Sequence, residues 1–212
     1  MSQKEKEKLK EKPKEKEKAR EPELRGRQTT PRLLKRYREE IIPKIMKELE
    51  CTNVMEIPRL KKVVVNMGVK EGAADIKLLD QVAHELGQIT GQKPLVTRAK
   101  KSISAFKLRQ GSPIGLKVTL RKNQMFEFVD RLFNIAMPRI RDFRGFPDTS
   151  FDDHGNYTLG IQEQTIFPEV EFDKVKKVQG MDITFVMSSE KKEDSKRLLE
   201  LLGLPFKRGK GN

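Results

Sequence analysis

A chain of 212 residues has room for one domain or at most two. Its 45 Lys and Arg against 31 Asp and Glu leave a formal charge of +14, with 36% of residues charged, and an excess of this size points to a polyanionic partner, either nucleic acid or an acidic membrane face. The single cysteine, Cys51, excludes an intramolecular disulfide and fits a reducing compartment; no apolar run approaches the ~18 residues of a membrane-spanning helix, and no apolar stretch follows the basic N-terminus to make it a secretory signal.

In chain order, residues 1–28 hold 11 basic and 7 acidic side chains broken by Pro13 and Pro22. Apolar residues are too few there to offset the entropy of ordering, so a disordered tail is expected, either a solubilising leader or a phosphate-gripping arm. The folded part, 29–212, is read as one domain. Leu34, Tyr37, Ile41, Ile45 and Leu49 recur at helical spacing, with Pro43 expected to bend the helix or split off its first turn. "LKKVVVNMGV" (60–69) reads as a strand. Asp75 is placed to cap a second helix whose stripe is Leu79, Val82, Ala83 and Leu86, with Gly91 after it. "GLKVTLR" (115–121) alternates as a strand. A third helix is expected from about Asn123, with Pro138 near its end. "YTLGI" (157–161) and "MDITFVM" (181–187) are further strands, and a last helix is expected from Ser189 to Leu202, stopped by Gly203 and Pro205.

Half-polar strands interleaved with helices do not suit a sheet covered on both faces. They predict an α+β, two-layer sandwich: a mixed or antiparallel sheet with helices packed on one face and the other face open. Val63, Val65 and Met67 share one parity of the first strand; Lys62, Val64 and Asn66 share the other. With Leu116, Val118 and Leu120 buried in the same way, the open face presents Lys62, Asn66, Lys117, Thr119 and Arg121.

The charge distribution sharpens this picture. Between Glu85 and Glu127 lie 41 residues without an acid, where the chain's own composition leads one to expect about six. The gap contains nine bases, namely Lys93, Arg98, Lys100, Lys101, Lys107, Arg109, Lys117, Arg121 and Lys122. The tail accounts for +4 of the net charge, so the rest of the folded part is nearly neutral. Within the gap, "TRAKKSISAFKLRQG" has the ingredients of an RNA-binding finger. Phe106 has the ordinary alternative of a core position, but an exposed ring there could stack a base.

Competing chemistry is thin. His84 reads as a helix-surface residue, and His154 beside Asp152 and Asp153 lacks the ligand number and spacing of a zinc or calcium site. Cys51 reads as an incidental or buried thiol at a helix end. No phosphate-cradling glycine motif is present, and 86–126 holds no Asp, Glu, His or Cys to support an RNA-processing enzyme. A membrane-surface protein using the same basic patch is the other alternative.

The segments "IPRLKKVVVNMGV", "ITGQKPLVTRAKKSISAFKLRQGSPIGLKVTLR", "MPRIRDFRGF", "SFDDHGNYTLGIQEQTIFPEV" and "LLGLPFKR" closely resemble the bacterial large-subunit ribosomal protein L-five family, from about Leu33 to Lys207. The resemblance implies a cytoplasmic, ribosomal, non-enzymatic protein without metal or cofactor. It would bind 5S rRNA and help attach it to 23S rRNA in the central protuberance, among other ribosomal proteins and away from membrane. It implies a 5S rRNA contact at Lys62, Asn66, Gln92, Phe106, Arg109 and Thr119. It implies a P-site tRNA contact at Arg98, Lys100, Lys101 and Ser102. An intersubunit bridge to small-subunit protein S-thirteen is implied at Arg139, Arg141, Asp142, Arg144 and Gly145. Asp153 and His154 stand where the family commonly has Gly and a basic residue, which counts against RNA contact in that loop. The tail before Thr29 has no counterpart in the family.

Overall fold

The computed structural model describes residues 30–50, 53–73 and 75–207; the tail and Cys51 lie outside them. Five strands form one sheet: β1 (Leu60–Gly68), β2 (Leu95–Arg98), β3 (Pro113–Leu120), β4 (Tyr157–Ile161) and β5 (Met181–Met187). The order is β2-β3-β1-β5-β4, and every pairing is antiparallel. The sheet is α+β in the expected sense, with the antiparallel alternative realised.

Alternation dictates the layering. Val63, Val65 and Met67 of β1 are fully buried, as are Leu116 and Leu120 of β3 and Ile183 and Phe185 of β5. Helices α1 (Arg32–Arg36), α2 (Ile42–Glu48), α3 (Ile76–Thr90), α4 (Lys122–Arg131) and α5 (Lys192–Leu202) contribute Leu33, Ile45, Leu86, Ile89, Phe128, Val129, Leu198 and Leu199 to the same apolar cluster. Each such side chain, fully buried, contributes roughly 1.5–3 kcal/mol. On the opposite face, Lys62, Val64, Thr119, Thr184 and Val186 are only half-buried, and Asn66, Lys117, Asp182 and Thr158 are exposed. No described helix covers that side.

Asp75 caps α3 as expected, its Oδ1 accepting from the N–H groups of Lys77 at 2.9 Å and Leu78 at 3.3 Å. Two prolines are accommodated by one device. A π turn, Tyr37–Ile41, links α1 to α2, and the Ile42 N–H reaches the Tyr37 carbonyl just before Pro43. A second, Leu132–Ala136, follows α4, with the Met137 N–H on the Leu132 carbonyl just before Pro138. Proline has no N–H and its ring crowds the carbonyl four residues back. One wider turn moves that carbonyl aside, so the helical path continues where a break was the alternative. The last helix begins at Lys192 rather than Ser189. Ser189 lies outside it, its Oγ accepting from the Lys191 N–H at 3.2 Å.

Beyond the sheet, buried Gln164 donates from Nε2 to the Glu85 carboxylate at 3.3 Å and to the Lys177 carbonyl at 3.0 Å. This ties the segment between β4 and β5 to α3 and leaves the buried carboxylate hydrogen-bonded, as burial of a charge requires.

A candidate nucleic-acid interface on the bare sheet face

The register fixes which side chains are neighbours on the open face. One row crosses all five strands as Leu95, Lys117, Asn66, Asp182 and Gly160. The next runs Thr119, Val64, Thr184 and Thr158, and the hydroxyls of Thr184 and Thr158 lie 3.0 Å apart. Lys62 follows, opposite Val186. At ~4.8 Å per strand, the five-membered row spans roughly 19 Å. Lys62, Asn66, Lys117 and Thr119 thus stand on the side away from the helices. Arg121 is exposed just past the end of β3. The face is graded rather than uniformly basic: cations sit on β1 and β3, whereas β5 contributes Asp182.

β2 and β3 continue into a hairpin finger, 99–112. Ile103 and Leu108 exchange backbone hydrogen bonds of 2.9 and 3.1 Å, and Ala99 bonds to Gly111 and Ser112 at the base. A short 3-10 turn, Ser104–Phe106, forms the tip. Phe106 is 77% exposed, so the core alternative for this ring is excluded. Gly115 sits where β3 meets β1: a Cβ there would lie 2.6 Å from the Met67 carbonyl oxygen, so only glycine permits the approach that roots the finger.

All nine bases of the acid-free segment are exposed, and none is in an ion pair with another described residue. Exposed cations without an acidic partner along β2, the hairpin, β3 and the adjoining turns leave a surface potential suited to a polyanion. Two residues brace the finger from within: at its base the Arg98 guanidinium donates to the Gly111 carbonyl at 3.0 Å, and on its first limb the Ser102 Oγ accepts from the Gln110 N–H at 2.9 Å. Lys100 and Lys101 project from the first limb, Arg109 from the second. Gln92 is exposed in the turn between α3 and β2.

The third group of sequence candidates lies beyond the opposite edge of the sheet. Arg139, Arg141, Asp142, Arg144 and Gly145 line an open cleft of about 610 Å³ with Gly160, Glu163 and Lys207. Gly145 has φ +92°, and a Cβ would meet the Lys207 nitrogen at 2.8 Å and the Phe206 carbonyl carbon at 2.9 Å. That contact allows the C-terminal segment to bond along the loop, with the Phe146 N–H on the Pro205 carbonyl at 2.9 Å and the Lys207 N–H on the Phe146 carbonyl at 2.8 Å. Finger and cleft are therefore separated by the width of the sheet.

The histidine candidates stay plain. His84 is exposed on α3. Asp152 organises its own loop, its Oδ1 accepting from the N–H groups of His154 at 3.0 Å and Asn156 at 2.7 Å. Partial burial works against ionisation, but the hydrogen bonds from Asn156 and the backbone prevail and hold this carboxyl below its ordinary range. Asp153 pairs with Lys192 at 3.2 Å. Among the described residues no three His, Cys, Asp or Glu side chains come together as a metal-binding group.

One pair of residues on this face escapes a reading that follows "MDITFVM" only along its buried side. Carried to the other side, the same alternation puts Asp182 and Thr184 on the open face.

A bare sheet face, cationic on β1 and β3, with a basic finger at one edge defines a protein that works through its surface. Two family models match the chain: "Ribosomal protein L5" over residues 53–109, and the C-terminal model of the same ribosomal family over residues 113–206. Proteins named "Large ribosomal subunit protein uL5" are similar to it at high identity. The one from Mesoplasma florum is 58% identical, covering 82% of this chain and 97% of its own. That from Clostridium acetobutylicum is 53% identical over 83% and 98%, and that from Chlorobaculum tepidum 56% over 81% and 94%. The class is a structural, non-enzymatic protein of the large ribosomal subunit, acting in translation. The chain belongs to the uL5 family of ribosomal proteins.

Proposed function

We propose that residues 29–212 act as a single RNA-binding domain that holds 5S rRNA on the bare sheet face and helps attach it to 23S rRNA in the central protuberance. The observation that carries this reading is the coincidence of two independent features. The acid-free segment supplies unpaired cations along the finger and at Lys117, and the sheet face that carries Lys117 is the one no described helix covers. Lys62 and Arg109 would take phosphates, Asn66, Gln92 and Thr119 would hydrogen-bond to bases or riboses, and Phe106 would stack on an unpaired base. On the same finger, Lys100 and Lys101 would face P-site tRNA, with Arg98 and Ser102 holding the hairpin in shape for that contact. At the far edge the cleft holding Arg139, Arg141, Asp142, Arg144 and Gly145 would meet small-subunit protein S-thirteen. The width of the sheet between the two regions supports this division, because one partner need not exclude the other.

The test is which RNA co-purifies with the full chain after a moderate-salt wash, followed by a salt titration of the complex. The reading expects 5S rRNA. If six to ten phosphates are neutralised, affinity falls about 10³–10⁵-fold between 50 and 200 mM salt. Recovery of unselected RNA, or affinity nearly independent of salt, overturns it.

A further inference from the structure

Asp182 is out of place on a face that receives phosphate. It is the one acid among the described strand residues that point to the open side, and it lies within the five-residue row, with Asn66 as its partner on β1 and Gly160 on β4. It is exposed, and its carboxylate has neither a hydrogen bond nor an ion pair with any described residue. Lys117 stands on the far side of Asn66, two strand spacings or about 10 Å away. On the other flank Gly160, which also lines the cleft of Arg139 to Gly145, contributes no side chain of its own; a Cβ there would lie 3.6 Å from the Asp182 Oδ1.

A carboxylate only accepts hydrogen bonds, and it repels phosphate. On RNA it can be satisfied by a ribose hydroxyl, which offers one donor, or by base N–H groups, which can offer two. Side by side, Asn66 and Asp182 present an amide that can donate and a carboxylate that accepts twice. Guanine's Watson–Crick edge has the complementary order, with O6 an acceptor and N1–H and N2–H₂ two adjacent donors. Uracil and cytosine each offer a single donor group on that edge, and adenine pairs its one amino group with an acceptor nitrogen that would face the carboxylate. RNA-binding sheets read splayed bases along this edge. We infer that Asn66 and Asp182 form a specificity pocket for one unpaired guanine, with Asn66 donating to O6, Asp182 accepting from N1 and N2, and the bare backbone at Gly160 leaving room for the ring. The inference rests on the reading that 5S rRNA lies on this face, and deepens it by naming the base recognised.

Substitution at Asp182 gives opposite signs for the two accounts of its role. If the carboxylate were only a stray negative charge, Asp182→Asn would tighten binding to every RNA. If it reads guanine, Asp182→Asn loses roughly tenfold in affinity for 5S rRNA, as for loss of a bidentate base contact, while binding to an unrelated RNA such as poly(U) stays level or tightens. Kethoxal, which modifies unpaired guanine at N1 and N2, supplies the second readout. Wild-type protein should protect one 5S guanine that Asp182→Asn leaves reactive, with the remaining footprint unchanged. The substitution is isosteric at an exposed strand position, so the melting temperature should hold. Wild-type binding, with Asp182→Asn equal or tighter on 5S rRNA and no guanine released, overturns the guanine contact alone. A wild-type chain without affinity for 5S rRNA overturns the RNA reading and this inference with it.

Discussion

Replacing Phe106 by Ala separates binding from folding more sharply than any other single change. Truncating a core Phe costs about 3–5 kcal/mol, but Phe106 is 77% exposed at the finger tip. Scaled by the small fraction buried, the loss to the fold is under ~1 kcal/mol, or under about 4 °C in Tm for a domain of this size. Base stacking on an exposed ring is worth roughly 1–3 kcal/mol, so Kd for 5S rRNA should rise about 5- to 150-fold. Filter binding at fixed salt measures the second quantity and a thermal melt the first. Phe128→Ala is the internal contrast: that ring is fully buried and stacks on Phe167 at 6.1 Å. Its loss should lower Tm by roughly 6 °C or more. An unchanged Kd for Phe106→Ala refutes the stacking role. A Tm drop matching that of Phe128→Ala refutes the exposed placement.

Lys100→Ala combined with Lys101→Ala should weaken isolated 5S rRNA binding less than Phe106→Ala does; equal losses, read in the same filter assay, would contradict the division of the finger between two RNAs. Gly145→Ala combines a left-handed backbone with clashes at 2.8 and 2.9 Å against the C-terminal segment. It should cost at least about 2 kcal/mol, lower Tm by roughly 4–8 °C and expose the segment after Gly203 to limited proteolysis. A wild-type melt and digestion pattern would show that this loop yields without cost.

How far the sequence reached depended on whether a feature was local. The parity of "KKVVVNM" and "GLKVTLR" separates buried from open side chains residue by residue, so the bare face and its polar members on β1 and β3 followed directly. β2 did not follow: Leu95 is 69% exposed on the open face, which spoils the alternation, and four residues are too few to show a period. Thr97 and Arg98 read as the start of the loop, and Leu95 and Val96 fall in no predicted element. Strand order was equally hidden, because β1 lies between β3 and β5 through contacts that no local pattern encodes. The prolines marked the right positions, Pro43 in the first turn of α2 and Pro138 in the last turn after α4, but the π turn that precedes each was not legible, since it depends on whether one turn can widen. Arg98 and Ser102 are surface groups, but their hydrogen bonds were hidden because their acceptor and donor, Gly111 and Gln110, become neighbours only when the hairpin closes. Asp182 was within reach of the same parity argument, but an acid on a basic face stands out only once the face is laid out in rows.

Photo-crosslinking of the full chain to 5S rRNA, with the attached peptides identified by mass spectrometry, addresses the claim of one-sided binding most directly. The account predicts crosslinks in β1, β3 and residues 99–112. Crosslinks confined to the outward sides of α3, α4 and α5, with the sheet face untouched, would contradict it.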